Sequence, residues 1–220
     1  MPESPIGRET GPVTRVSPRW RQTVVWLHVI SSVAWMSQAL SLCVLTLVAL
    51  DGHHAGPAML MAKRLDAVLL APMANTAAFT GLLLAGATAW GFFRHWWVLV
   101  KFGLTLIQLY AGIFLLSPAL TQAAATAVPV WQLAAGSALM ASGLAFQVWI
   151  SVAKPWSRTP WSTAAKPRPA PTWVFTAGLA APIADTAAGI ALGYPMPAFS
   201  LIMLAVLLVR RPETRLLRAG

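Results

Sequence analysis

Six stretches of apolar residues run through the chain, separated by short polar or proline-rich connections. They cover residues 23–50, 65–90, 96–116, 130–153, 173–192 and 198–209. An α-helix needs about 20 apolar residues to cross a bilayer, and the first five stretches reach that length. The first is also longer than the core of a signal peptide, about 7–15 residues, so it predicts a retained helix. The pattern predicts an all-α, polytopic transmembrane bundle.

The connections divide the chain into four parts. Residues 1–21 predict a disordered cytoplasmic tail, and residues 22–153 predict a four-helix transmembrane bundle as the core. Within this bundle, residues 51–64 read as a polar connection, and Pro118 closes the third segment before an uncharged loop over 119–128. Residues 154–171 carry five prolines and four basic residues, a composition that excludes a regular helix. Residues 172–220 predict a C-terminal hairpin of two apolar segments, followed by a basic tail.

Composition supports a membrane protein and excludes a soluble domain. Hydrophobic residues make up 57% of the 220 residues, and charged residues make up only 10%. Soluble domains have about 45–50% apolar and about 25% charged residues. The mean hydropathy is +0.66. The single cysteine, Cys43, lies inside an apolar stretch and allows no disulfide within the chain.

The net charge of +10 indicates membrane topology rather than nucleic-acid binding. The basic residues lie at the ends of the apolar stretches, where they act as topology signals and contact anionic lipid headgroups. Most of the 11 tryptophans also lie near those ends, as in the aromatic belts of membrane proteins. The charge pattern predicts a protein of the bacterial inner membrane with both termini in the cytoplasm. This topology requires that residues 173–209 cross twice or form a re-entrant hairpin.

Polar side chains within the apolar segments indicate either helix packing or a functional interior. Asn75, Gln108 and Asp185 are intramembrane polar candidates, and Asp185 is the only acid deep in a predicted span. Such residues usually face the interior of a bundle because exposure to lipid is costly. Hydrogen bonds between neighbouring helices are the simpler explanation for them, and a cofactor site or solute path is the alternative.

Three polar residues are candidates for binding a cofactor: His28, Gln38 and Lys101. His28 is the only histidine well inside a predicted span, so it could be an axial haem ligand, a proton carrier, or a hydrogen-bonding partner of another helix. Lys101 lies about one turn into the third segment. It either reaches the headgroups or pairs with an anion such as a propionate, a phosphate or Asp66. His95 is too shallow to be a convincing second haem ligand.

The first outer connection contains the ligand set of a copper site. His53 and His54 are followed by Met59 and Met61, and imidazole with thioether favours copper over hard cations. The two methionines can share an ion only if their segment is extended or a loop, because a spacing of two places them on different faces of a helix.

Two motifs give the chain a family resemblance. The stretches Trp26-Leu27-His28 and Trp96-Trp97-Val98-Leu99-Val100-Lys101 resemble the small membrane proteins of the copper-resistance CopD type, and are reminiscent of the membrane protoporphyrinogen oxidases of the HemJ type. The resemblance covers about residues 22–160 and implies haem b at His28, with Lys101 nearby. Where HemJ-type proteins have a second histidine, late in the third helix, this chain has Gln108-Leu109-Tyr110. That difference argues against oxidase activity.

Three functions remain open from the sequence. The first is non-enzymatic transport or binding of a small solute or metal ion, with copper captured at the outer connection. The second is a haem-binding membrane redox protein that uses His28. The third is an accessory subunit, with a larger membrane complex or a second copy of the chain as its partner. No soluble-enzyme motif is present, which favours a protein without catalytic activity.

Overall fold

The protein is all-α. The computed structural model describes residues 18–88, 90–162, 170–192 and 198–209. Within these ranges it contains six helices and no strand: α1 (Pro18–Ala49), α2 (Ala55–Ala87), α3 (Trp96–Thr126), α4 (Trp131–Ala153), α5 (Thr172–Leu192) and α6 (Ala198–Val209). All except α6 are long and apolar enough to cross a membrane. The all-α, multi-pass prediction is therefore confirmed, whereas the two predicted terminal tails lie largely outside the described residues.

The second helix begins ten residues earlier than the sequence pattern predicts. The predicted polar connection over 51–64 shrinks to a short turn that contains Gly52 at a φ of +80°, and α2 starts at Ala55. Pro57 lies in the first turn of α2, where a missing backbone N–H costs nothing. Lys63 and Arg64 are exposed on this helix. They lower the hydropathy of the local sequence, but they do not end the helix. One consequence is that Asp66 lies inside a span-long helix.

The third helix continues through the proline predicted to end it. Immediately before Pro118, residues Ala111–Leu116 form a π-helical turn, and α3 then runs on to Thr126. The same arrangement occurs in α2, where the π turn Asp66–Leu70 precedes Pro72. A proline lacks the N–H of a regular helical turn, and its ring clashes with the carbonyl four residues earlier. We attribute the continuity of both helices to the wider π turns, which accommodate the prolines.

Helix α1 packs against both α2 and α4, while α3 contacts α2 and α4 from the other side. The buried face of α1 follows helical spacing through Val24, Ser31, Trp35, Ala39, Leu42, Thr46 and Ala49. In the middle of the bundle, Trp35 packs in a cluster that includes three small residues from α2 and α4: Ala74, Ala77 and Ala141. Small residues at these crossings allow close packing where no hydrophobic effect drives helices together in lipid.

The two C-terminal helices pack against the last turns of α2. The backbone N–H of Ala170 donates to the carbonyl of Ala87, so α5 begins near the end of α2. Further along, a Cβ at Gly178 would lie 2.7 Å from Leu83, which shows how closely α5 approaches. Leu207 of α6 lies against Gly86, so α6 runs back towards the level at which α5 starts. At 12 residues, α6 is only about 18 Å long.

The basic segment after α4 is fixed to the turn between α2 and α3. Residues 154–162 are not helical, as their prolines and charges predict, and residues 163–169 of the predicted loop lie outside the described ranges. The Thr159 backbone N–H donates to the Arg94 carbonyl at 3.0 Å, and the indole of Trp161 donates to the Phe93 carbonyl at 2.9 Å. We call this side, where α1 and α3 begin and α2 and α4 end, the basic end.

Candidate functional site

A cleft of about 530 Å³ opens between helices α1 to α4 at the basic end. It lies among the first turns of α1 and α3 and the last turns of α2 and α4. Its polar lining includes Arg21, His28, Ser32, Thr88, Lys101, Thr105, Gln147, Ser151 and Lys154. The remaining lining is mainly aliphatic and aromatic, which is typical of small-molecule sites. Two of the three predicted cofactor-binding residues, His28 and Lys101, therefore share one cleft.

His28 is oriented by the helix opposite. Its Nδ1 atom lies 3.0 Å from the backbone carbonyl oxygen of Ala77 and 3.1 Å from Oγ1 of Thr80. A carbonyl oxygen can only accept, so Nδ1 carries a proton and donates it. In the neutral ring, Nε2 then keeps its lone pair. This is the arrangement that fixes a metal-binding histidine, with the second nitrogen left for the metal.

A glycine on α2 leaves the space that the His28 ring occupies. A Cβ at Gly81 would lie 2.9 Å from Cε1 of His28, closer than real Cβ contacts. Thr80, the preceding residue, is fully buried and donates its own hydroxyl proton to the Thr76 carbonyl at 2.6 Å. The hydroxyl oxygen is thus free to accept from His28. The imidazole position is set by α2 and not by α1 alone.

The charged side chains that line the cleft in the described part of the chain are all positive. Lys101 donates from Nζ to the Ser151 hydroxyl of α4, and no Asp or Glu occurs among the described side chains that line the cleft. Lys154 ends α4 in a left-handed conformation at a φ of 45°, with its Nζ 5.2 Å from the ring centroid of Trp90. Together with Arg21, these residues make the cleft complementary to an anion. The predicted pairing of Lys101 with Asp66 does not occur.

Gln108 belongs to a polar contact between α3 and α4. Its Nε2 donates to the carbonyl of Met140 at 3.0 Å, and its Oε1 accepts from Nε2 of Gln147. Oε1 of Gln147 in turn accepts from the hydroxyl of Thr105 at 3.0 Å. Gly143 provides the space, since a Cβ there would lie 2.6 Å from Nε2 of Gln108. The structure therefore gives Gln108 a packing role through hydrogen bonds.

The third predicted cofactor residue lies deeper in the bundle. Gln38 does not line the cleft, and its Oε1 is buried without a hydrogen-bond partner in the described part of the chain. Trp35, one turn earlier, does line the cleft, and its Nε1 is likewise buried and without such a partner. The sequence identified Gln38 as a candidate, but the unpaired state of these two atoms depends on how α1 packs against the other helices.

Asp66 lies at the very start of the second predicted apolar stretch, and the structure places it well inside α2. It begins the π turn of that helix. The hydroxyl of Ser117 on α3 donates to its Oδ2 at 2.7 Å. This contact joins the π turn of α2 to the residue directly after the π turn of α3.

Asp185 stabilises the start of α6 and lies outside the cleft. It is 3% exposed, and its two oxygens accept from the backbone N–H groups of Phe199 and Ser200, each at 2.8 Å. The first N–H groups of a helix have no partner within the helix, so this carboxylate supplies one across the α5–α6 contact. Asn75, the remaining intramembrane candidate, is half-buried on α2 and also lies outside the cleft lining.

The four predicted copper ligands are not brought together. Met59 and Met61 lie in the helical part of α2, not in the extended or loop segment that a shared ion requires. Met59 is fully buried against α1 and α3, whereas Met61 is 61% exposed. His53 and His54 lie in the turn before α2. Among the described residues, no three His, Cys, Asp or Glu side chains form a group that could hold a metal ion.

His54 already has a partner in this turn. Its Nδ1 lies 2.9 Å from Oδ2 of Asp51, and its backbone N–H donates to Oδ1 of the same carboxylate at 3.1 Å. These hydrogen bonds hold the pKa of Asp51 below the usual value of an aspartate, with the side-chain bond contributing most. The pair is well exposed, so it organises the turn locally.

Comparison with known proteins adds no relative: no family model, no curated protein and no solved structure matches the chain. The functional argument therefore depends on the geometry of the cleft.

Proposed function

We propose that this chain is a multi-pass protein of the bacterial inner membrane whose cleft binds an amphipathic anion. Arg21, Lys101 and Lys154 provide positive charge, no carboxylate is among the described residues that line the cleft, and the aliphatic lining suits an apolar body. The basic end faces the cytoplasm in this proposal, because short cytoplasmic segments are enriched in lysine and arginine. Its exposed tryptophans and arginines would contact anionic headgroups. The function is binding, not catalysis.

Haem b is our candidate for the bound anion. The observation that carries this proposal is the hydrogen bond from Nδ1 of His28 to the Ala77 carbonyl, which leaves Nε2 as a ligand atom beside a cationic cleft. His28 would hold the iron, while Lys101, Lys154 and Arg21 would neutralise the carboxylates. When bound, haem supplies one-electron chemistry to the protein. Copper becomes a weaker candidate because Met59 and Met61 cannot join the histidines in one site.

We propose further that α5 and α6 form a re-entrant hairpin. Helix α6 begins beside Asp185 and returns towards Gly86 near the basic end. A 12-residue helix is too short to cross about 30 Å of hydrocarbon. The buried carboxylate of Asp185 supports this assignment, since a helix start within a membrane needs its N–H groups satisfied. This topology keeps both termini on the cytoplasmic side.

The experiment is an absorption spectrum of the purified, detergent-solubilised full chain from cells supplied with haem. We expect a Soret band at near-stoichiometric intensity, which His28→Ala abolishes and the matched histidine control His53→Ala retains. Lys101→Met should weaken haem retention without abolishing the band. Circular dichroism of each variant checks that the helices remain folded.

Two results would contradict the haem assignment. One is a featureless visible spectrum, and the other is a band that persists unchanged in His28→Ala. The broader anion proposal has a separate test, in which anionic phosphatidylglycerol raises the thermal stability of the apo-protein more than neutral phosphatidylcholine does. Lys101→Met should reduce this difference. Anion binding would be contradicted if the two lipids raised the thermal stability equally, both in the wild-type protein and in Lys101→Met.

A further inference from the structure

The interior of the bundle contains a complementary pair of polar atoms with no protein partner. Trp35 is 3% exposed, and its Nε1 is a hydrogen-bond donor without an acceptor among the described residues. Oε1 of Gln38 is an equally buried acceptor without a donor there. Because an indole nitrogen can only donate and an amide oxygen can only accept, the two atoms have opposite requirements.

The two side chains project from neighbouring positions on one face of α1. They are three residues apart on α1, a spacing that places their Cβ atoms about 5–6 Å apart on the same face. Trp35 is close to the middle of α1, and the buried side chains from α2 and α4 in its cluster are Ala74, Ala77, Met140, Ala141 and Leu144. None of these side chains has a nitrogen or oxygen atom that could pair with an indole N–H or an amide oxygen. A group that accepts one hydrogen bond and donates another would satisfy both atoms.

The pair lies between two polar regions of the interior. On one side, Trp35 itself lines the cleft, together with His28 and Gln147. On the other side is the Asp66–Ser117 contact. His28 lies opposite Ala77 and Thr80, so in the antiparallel direction Asp66 lies opposite residues 39–42 of α1, within about one turn of Gln38.

We infer that a water molecule binds between Nε1 of Trp35 and Oε1 of Gln38. It accepts the indole proton and donates to the amide oxygen, and it extends the water-accessible interior from the cleft to the middle of the bilayer. Buried waters typically satisfy polar groups that the protein leaves unpaired. The hydrocarbon core of a bilayer offers no other solvent that could form hydrogen bonds with these two atoms. This site is independent of the bound anion, because neither atom is among the groups assigned to hold it.

The test is proton exchange at the Trp35 indole, measured by NMR in lipid nanodiscs. Its N–H signal is identified by its loss in Trp35→Phe, which keeps an aromatic side chain. We expect this proton to exchange with D2O, and to exchange about tenfold more slowly in Gln38→Leu, which removes the acceptor. Gln38→Glu keeps an oxygen acceptor and should retain the wild-type rate. Gln122→Leu, the same change at an exposed position of α3, is the matched control.

Two outcomes would overturn the inference. The first is a Trp35 N–H in the wild-type protein that remains as protected as the backbone amides of the helix core. The second is an equal change of the Trp35 N–H exchange rate in Gln38→Leu and Gln122→Leu. That result would show that exchange occurs through general opening of the bundle. The haem proposal would survive either result, since its test depends on His28 and on an optical signal.

Discussion

Nδ1 of His28 on α1 lies 3.0 Å from the backbone carbonyl oxygen of Ala77 on α2. This hydrogen bond affects both the packing of α1 against α2 and the chemistry of the His28 imidazole. It fixes the register of two antiparallel helices, and it determines which imidazole nitrogen remains available at the cleft. Anything that displaces the ring should affect both properties together, whereas a change elsewhere in the cleft should affect ligand binding alone.

The closest test of this relationship is Gly81→Ala. The added methyl would lie 2.9 Å from Cε1 of His28, so the ring or the helix must move. Overpacking of this kind costs about 1–3 kcal/mol. We expect a lower thermal midpoint in detergent and loss of any chromophore that depends on His28. Gly103→Ala is the matched control, because no atom lies within 4 Å of a Cβ there. Equal thermal midpoints for Gly81→Ala and Gly103→Ala would contradict the close approach of Gly81 to the His28 ring.

A second prediction concerns the paired amides between α3 and α4. Gln108→Leu leaves the Nε2 group of Gln147 without its acceptor. Gln147→Leu leaves Oε1 of Gln108 without its donor and the Thr105 hydroxyl without its acceptor. The double change should destabilise the protein by less than the sum of the two single changes. Couplings across membrane helices average about 0.6 kcal/mol and reach about 1.7. A double-mutant cycle on unfolding in mixed micelles measures the coupling, and strict additivity would show that the contact is energetically silent.

The sequence predicts helix positions best where hydropathy alone decides them. Helix α6 occupies the predicted residues 198–209, and α4 differs by one residue from its predicted start. Prediction from hydropathy fails where a helix carries polar residues at its end, as in the first turns of α2. It also fails where a π turn accommodates a proline, as before Pro118. Lys63 and Arg64 lower the hydropathy of a segment that is nevertheless helical, and the π turn before Pro118 leaves no mark in the apolar pattern.

The candidate site was predictable as residues but not as an arrangement. His28 and Lys101 were identified from their polarity within apolar segments, whereas their presence in one cleft depends on the register of α1 to α4. Gln38 lies on the same face of α1 as His28, yet it lies below the cleft because a helix rises about 1.5 Å per residue. The positions of the predicted copper ligands depend on the same kind of geometry, since the helix separates Met59 from Met61.

A third prediction concerns Asp185 and the start of α6. Asp185→Leu removes both acceptors from the N–H groups of Phe199 and Ser200, while Asp185→Asn keeps one amide oxygen. Loss of a helix N-cap typically costs about 0.5–2 kcal/mol. We therefore expect a larger drop in thermal stability for Asp185→Leu than for Asp185→Asn, with the optical spectrum at the cleft retained in both. A spectrum lost in Asp185→Asn would instead place this acid in the functional site.

The last prediction is a pH effect confined to the turn before α2. Hydrogen bonds from His54 hold the pKa of Asp51 below its usual value, so ionised Asp51 favours the folded turn. That contribution is present above the pKa of the unfolded chain, and it is lost as the pH falls through the lower pKa of the folded turn. His54→Ala should raise the pKa of Asp51 towards the ordinary value, as measured by NMR titration of its carboxyl carbon. His53→Ala keeps the same side-chain hydrogen bond and should leave the titration nearly unchanged. An equal shift in the two variants would show that the imidazole of His54 is not the cause.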